Sequence, residues 1–114
     1  MMSMLSNLVL RHRARKATLH VLRFAERLRK RNSEFAPSYL DTLESIGDEL
    51  AVMARDHCRD EAERRALLAG LLSAMQRMYR GDPALAQRVT RRLAPRVMAA
   101  RPRAADDNWM NAAI

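Results

Sequence analysis

Residues 10–31 read LRHRARKATLHVLRFAERLRKR, and this stretch decides the fold class. Its apolar residues recur at alternating spacings of four and three, which places them on one face of an α-helix; they are Leu10, Ala14, Ala17, Val21, Phe24 and Leu28. A second set follows the same rhythm one residue out of phase and forms what we call the basic stripe; its members are Arg13, Lys16, His20, Arg23, Arg27 and Lys30. We predict an amphipathic first helix over residues 3–31. Its basic flank is either simply solvated or binds nucleic acid, acidic protein or anionic lipid.

The signals that start and stop helices predict two more elements after this one. Residues 32–37 form a connector, and Ser38 followed by Asp41 is a capping signature that starts a second helix over residues 38–57. Its predicted apolar face carries Tyr39, Leu43, Ile46, Leu50, Met53 and His57. Asp60 with Glu63 repeats the capping pattern, so we expect a break near residues 58–60 and a third helix over residues 60–80. No Gly or Pro enforces this break, so the alternative is one long bent helix.

The clearest punctuation in the chain is Gly81-Asp82-Pro83. Gly81 suits the left-handed position after a helix, Asp82 suits an N-cap, and Pro83 suits a first helical position. A fourth helix over residues 83–100 follows, which we expect Pro95 to kink or divide. The sequence therefore predicts an all-α, four-helix bundle of antiparallel hairpins over residues 1–101, with residues 102–114 as a C-terminal tail or docking segment.

Charge is sorted into three blocks along the chain. Residues 1–33 carry nine Arg and Lys and one acid, residues 34–63 carry nine acids and two Arg, and residues 64–114 carry ten Arg and three acids. This order predicts an acidic helix between basic ones, with the acids of the second helix facing the cations of the first. The surplus positive charge indicates an anionic partner.

Composition limits the class of protein. A chain of 114 residues forms a single domain, and a lone cysteine, Cys58, excludes an internal disulfide and fits a reducing cytosol. No window is apolar enough for a membrane span, so we expect a cytoplasmic protein. The Arg- and Ala-rich composition is typical of a GC-rich bacterial genome; the functional alternative is a choice of Arg for bidentate contacts with phosphates or carboxylates.

Chemistry-bearing motifs are scarce. His57 and Glu61 share a helical face, but Cys58 points away from them and no second His or Cys pair follows, so we expect no metal site. The three glycines are isolated, which excludes a glycine-rich phosphate loop, and no nucleophile has a base and an orienting group at a suitable spacing. We therefore expect no enzyme and no cofactor.

A protein partner explains more of these features than any other. Trp109 is the only tryptophan and stands in a polar tail with Met110 and Ile114 close behind, which is the composition of an apolar anchor. We predict a small bacterial regulator, adaptor or inhibitor that binds an acidic protein surface; its contact residues are Trp109, Met110, Ile114, Arg13, Lys16, Arg23 and Arg27. Association with a second copy is possible through a face of small residues, which are Ala62, Ala66, Gly70 and Ala74.

The alternative function is DNA or RNA binding by the first and fourth helices. In the fourth helix the contact residues would be Arg88, Arg91, Arg92 and Arg96. Stacking aromatics are absent from both basic faces, which argues against recognition of single strands. The basic first helix also fits an anionic membrane surface, which we rank after protein and nucleic acid.

Overall fold

A computed structural model describes the backbone of residues 2–100 and the side chains of residues 5–100. These residues form four α-helices, with no strand among them: α1 (Met2–Lys30), α2 (Tyr39–His57), α3 (Glu61–Met78) and α4 (Pro83–Ala99). The helices pack on one another, which confirms the predicted all-α, bundle-like class. Within this part of the chain, none of the helices has the length and apolarity needed to cross a bilayer.

Three helices begin where their capping residues predict. Ser38 Oγ accepts a hydrogen bond from the Asp41 amide at 3.1 Å, and the Asp41 carboxylate accepts one from the Ser38 amide, so a complete capping box starts α2. Asp60 caps α3 by accepting from the Glu63 amide at 2.9 Å. Asp82 caps α4 by accepting from the Leu85 amide at 3.0 Å.

The structure corrects one prediction about the helix ends, the left-handed conformation of Gly81. At the end of α1, Asn32 rather than a glycine takes the left-handed conformation, with φ 50°, and the Ser33 amide donates to the Leu28 carbonyl at 3.2 Å. Gly81 does not have a positive φ; the turn before α4 is closed instead by the Asp82 amide, which donates to the Tyr79 carbonyl at 3.0 Å. Pro95 does not divide α4, which runs through it.

The helices alternate in direction, so that α1 lies parallel to α3. Ser6 near the start of α1 donates to Glu63 near the start of α3 at 3.0 Å, Ala14 lies beside Gly70, and the end of α1 lies beside Tyr79 at the end of α3. Gly70 marks a close approach of the two helices: a Cβ there would lie 2.8 Å from Ala14 Cβ, and nearer still to the carbonyl oxygen of Arg11. The main neighbour of α1 is therefore α3, whereas we expected α2.

Helices α2 and α4 form a second parallel pair. Arg96 of α4 lies over α2 and binds Glu44 (3.0 Å) and Asp48. The helices thus follow one another around the bundle in the order α1, α3, α4, α2, which places α1 and α4 on opposite corners. The expected pairing of α2 acids with α1 cations is wrong at these two positions, because an arginine of α4 takes both carboxylates.

The buried face of α1 is also rotated from the predicted one. Its fully buried residues include Ala14, Thr18, Leu22 and Ala25, whereas Phe24, which we placed on the core face, is 54 % exposed. The close approach at Gly70 favours small side chains on this face, which Ala14, Thr18 and Ala25 supply. The rest of the core consists of aliphatic residues from α2, α3 and α4, among them Ile46, Leu50, Leu67, Leu71, Met75, Leu93 and Val97.

Candidate partner-binding surfaces

The basic stripe lies on the free face of α1. All six of its members are exposed, and none of them forms an ion pair with another of residues 5–100. The one acid of α1, Glu26, is taken by Arg29, whose guanidinium lies 2.6 Å away. Five cationic side chains and His20 therefore lie along one side of a single helix, and no acid among residues 5–100 forms an ion pair with them.

The same helix exposes apolar side chains beside these cations. Phe24 lies next to the stripe, one position after Arg23 and four after His20. At the other end of α1, Leu5, Leu8 and Val9 are 67 %, 58 % and 52 % exposed. Exposed large apolar residues close to charges are typical of surfaces that bind other proteins.

A groove runs between the C-terminal ends of α1 and α3, and we call it the α1/α3 groove. It has a volume of about 510 Å³ and is lined by Arg23, Glu26, Arg27, Lys30, Met78 and Tyr79. A smaller depression of about 320 Å³ shares Arg23 and Arg27 with it and extends along α1 to Leu19 and Lys16. Sequence reasoning missed Met78 and Tyr79 as site residues, because only the parallel contact of α1 with α3 brings them beside the stripe. It also missed Leu19, which lies on α1 itself, next to His20.

The arginines of α4 do not extend the basic surface of α1. Arg88, Arg91 and Arg92 are exposed, and two of them line a groove of about 460 Å³ with Tyr39 of α2. Burial raises the pKa of Tyr39, and nearby Arg88 and Arg92 oppose that rise. Arg96 differs from these three, because its guanidinium is held by Glu44 and Asp48 and is only half exposed. Because α1 and α4 occupy opposite corners, the two basic helices do not form one continuous face.

The Cys58 region does not form a reactive centre. Cys58 is 3 % exposed, and burial, with a further contribution from Glu63, raises the pKa of its thiol to about 11. The thiol is therefore protonated at neutral pH and is a poor nucleophile. His57 is exposed instead of capping the apolar face of α2 as expected. Among residues 5–100, no three His, Cys, Asp or Glu side chains are grouped as metal ligands.

Two further sets of residues were predicted to contact a partner: the apolar residues of the C-terminal tail and the small residues of α3. Trp109, Met110 and Ile114 lie outside the described residues. In the face of small residues on α3, Gly70 and Ala74 are fully covered within the monomer, Ala66 is half-buried and Ala62 is exposed. At Gly70 the cover is the backbone of α1, so that little of this face is left for a second copy.

Comparison of the chain with protein-family models, with curated proteins and with solved structures gives no match.

Proposed function

We propose that this protein is a small non-enzymatic regulator, adaptor or inhibitor of the bacterial cytoplasm, which binds an acidic surface of another protein through the free face of α1. The observation that carries the proposal is the basic stripe: five exposed cations on one helix, none of which has an ion-pair partner among residues 5–100. Arg13, Lys16, Arg23 and Arg27 would meet the partner's carboxylates. Such a positively charged surface accelerates association with an acidic partner and disfavours association with a basic one.

Apolar groups beside the stripe favour a protein over a nucleic acid. Phe24 and the floor of the α1/α3 groove offer places for an apolar anchor, which phosphate recognition does not need. The separation of α1 from α4 also keeps the cations of the two helices from contacting the same face of one duplex. The predicted anchors of the tail, Trp109, Met110 and Ile114, belong to the same proposal.

Nucleic-acid binding is the second candidate. It is favoured by the sequence pI of about 11.1 and by the three exposed arginines Arg88, Arg91 and Arg92 of α4. Duplex contacts made by α1 alone or by α4 alone would still produce a steep dependence of affinity on salt. Arg96 is the weakest member of this set, because Glu44 and Asp48 already neutralise it.

The test is affinity capture from the native host with the full chain, carried out with and without nuclease. One variant reverses three stripe charges (Lys16→Glu, Arg23→Glu, Arg27→Glu), and its matched control reverses three on α4 (Arg88→Glu, Arg91→Glu, Arg92→Glu). We expect one defined protein to survive nuclease, to be lost from the stripe variant and to be kept by the control. Circular dichroism verifies that both variants are folded.

Two outcomes would contradict the proposal. Capture that disappears with nuclease would assign the cations to nucleic acid. Equal losses in the two variants would mean that net charge, rather than the free face of α1, drives binding.

A further inference from the structure

We propose that residues 106–110 of this chain dock in its own α1/α3 groove and so cover part of the partner-binding surface. The inference concerns regulation of the surface proposed above, and it rests on that proposed function for its biological meaning. The docking itself follows from the chemistry of the groove, the chemistry of the C-terminal segment and the length of chain between them.

The groove selects its occupant by charge and by apolar contact. Met78 of α3 and Tyr79, which caps that helix, supply half-buried apolar surface, while Arg23, Arg27 and Lys30 of α1 border it. The remaining lining residue, Glu26, is paired with Arg29, so the three cations have no ion-pair partner among residues 5–100. A suitable ligand carries a large apolar side chain next to one or two acids.

The chain carries such a ligand at its C-terminal end. Residues 101–114 contain two acids, Asp106 and Asp107, which are adjacent, and the only tryptophan follows two positions later at Trp109 with Met110 next to it. Elsewhere in residues 64–114 the only acid is Asp82, whose carboxylate caps α4. The Asp-Asp-Asn-Trp-Met segment therefore matches the groove in both charge and apolar content.

The intervening chain is long enough to reach. The Ala100 carbonyl accepts a hydrogen bond from Arg64 Nη2 at 2.9 Å, which places the end of α4 beside the first turns of α3. Tyr79 is 15 residues farther along, or about 22 Å at the helical rise per residue. Nine extended residues from Ala100 to Trp109 span about 30 Å, which leaves enough length to cross one helix diameter as well.

Covalent linkage favours this segment over a competitor. A segment tethered by fewer than ten residues has an effective concentration in the millimolar range near the groove, so even a weak contact is populated. A partner protein with acids of its own would displace Asp106 and Asp107 from Arg23 and Arg27. The same exchange would free Trp109 to contact that partner.

The single tryptophan gives a direct measurement on the full chain. We expect Trp109 in the wild-type protein to emit at shorter wavelength and to show a several-fold smaller acrylamide quenching constant than free N-acetyltryptophanamide. Arg23→Glu with Arg27→Glu, and separately Asp106→Asn with Asp107→Asn, should raise quenching to nearly the free value. Arg91→Glu with Arg92→Glu on the opposite corner is the matched control and should leave quenching unchanged.

A charge exchange separates specific docking from a general effect of net charge. Arg27→Asp alone should expose Trp109, and adding Asp107→Arg should restore at least part of its protection. Wild-type quenching equal to that of the free amide would overturn the proposal. Protection that is lost on dilution would also overturn it, because the occupant would then be the tail of a second copy.

The two experiments distinguish a failure of the docking proposal from a failure of the proposed function. If the tail does not dock, the stripe variant still loses its captured protein but Trp109 is exposed in the wild type. If the function is wrong, Trp109 is protected but no protein depends on the stripe. If both hold, Asp106→Asn with Asp107→Asn should capture several-fold more partner than the wild type.

Discussion

The two parallel helix pairs of this bundle are each joined at a glycine, yet the two glycines face different kinds of neighbour. A Cβ at Gly70 of α3 would collide with α1 itself, at the carbonyl of Arg11, the Cβ of Ala14 and the amide of Arg15. A Cβ at Gly47 of α2 would instead meet the guanidinium of Arg96, at the flexible end of a side chain. One pair is joined backbone to backbone, and the other is joined through a long cation.

This difference explains why the cations of the α1 stripe form no ion pairs within the described residues, whereas one arginine of α4 does. The backbone contact at Gly70 fixes the rotation of α1 and leaves its cations on the solvent side. The contact at Gly47 occupies Arg96 of α4 and neutralises it with Glu44 and Asp48 of α2. Although the first and last charge blocks have similar net charge in the sequence, α1 alone among the four described helices presents an uninterrupted basic stripe.

The largest effect is expected at the backbone contact. Gly70→Ala should lower the free energy of unfolding by about 3 kcal/mol, because α1 must move away to admit the methyl group. Urea denaturation measures the loss. Gly81→Ala is the matched control: a Cβ there meets nothing within 4 Å and the φ of Gly81 is not positive, so its effect should stay within about 0.5 kcal/mol. Equal effects at the two glycines would remove the distinction.

A smaller loss is expected at the polar end of the same interface. Glu63 is 7 % exposed and accepts hydrogen bonds from Ser6 Oγ at 3.0 Å and from the Arg59 amide at 2.9 Å. Glu63→Ala leaves both donors without this partner and should cost about 2 kcal/mol in urea denaturation. Ser6→Ala removes one bond and should cost about half as much. A neutral Glu63→Ala would mean that water replaces the carboxyl group at no cost.

The next substitution, at Thr18, is expected to increase the stability of the protein. Thr18 is 1 % exposed on the buried face of α1, and its hydroxyl has no hydrogen-bond partner among the described residues. Thr18→Val keeps the shape and removes the desolvated hydroxyl, so the protein should gain about 1 kcal/mol. The urea midpoint measures this gain. Thr18→Ser serves as the contrasting variant, since it keeps the hydroxyl, deletes a methyl group and should destabilise.

The smallest change in stability is expected at the contact between Gly47 and the side chain of Arg96. In the wild type, Gly47→Ala should change stability by less than about 0.5 kcal/mol, because the gain in helix propensity is offset by displacement of Arg96. In an Arg96→Ala background the same change should stabilise by up to about 1 kcal/mol, since the guanidinium is no longer there. A double-mutant cycle measures the coupling. Additive effects would show that Leu93, 3.2 Å from the same Cβ, is the true obstacle.

The starts of helices were predictable wherever one side chain can accept hydrogen bonds from the backbone amides of the first turn. The side chains of Ser38, Asp60 and Asp82 start their helices as the sequence indicates, because a capping oxygen at that position meets otherwise unpaired amides of the first turn. The break near residues 58–60 was predicted in the same way. The turn before α4 was also predicted at the right place, but the left-handed conformation of Gly81 was wrong, because the chain closes this turn with a backbone hydrogen bond.

For the candidate site, the sequence identified the stripe but not its surroundings. The spacing of Arg13, Lys16, Arg23 and Arg27 is enough to place them on one face of a helix. That Phe24 would stand outside the core, or that Met78 and Tyr79 would lie beside Arg27, depends on which helix α1 packs against. Periodicity alone does not carry that information.

The sequence by itself determined the four helices, their caps and the sorting of charge along the chain, because each of these depends on residues within a turn or two of one another. The tertiary structure alone decided that α1 lies on α3, that α1 and α4 stand at opposite corners, and that Arg96 is neutralised while the basic stripe is free. The physical reason is that these outcomes depend on close approach at Gly70 and Gly47. Which helices meet there is set by how the whole core fills its volume, not by any one segment.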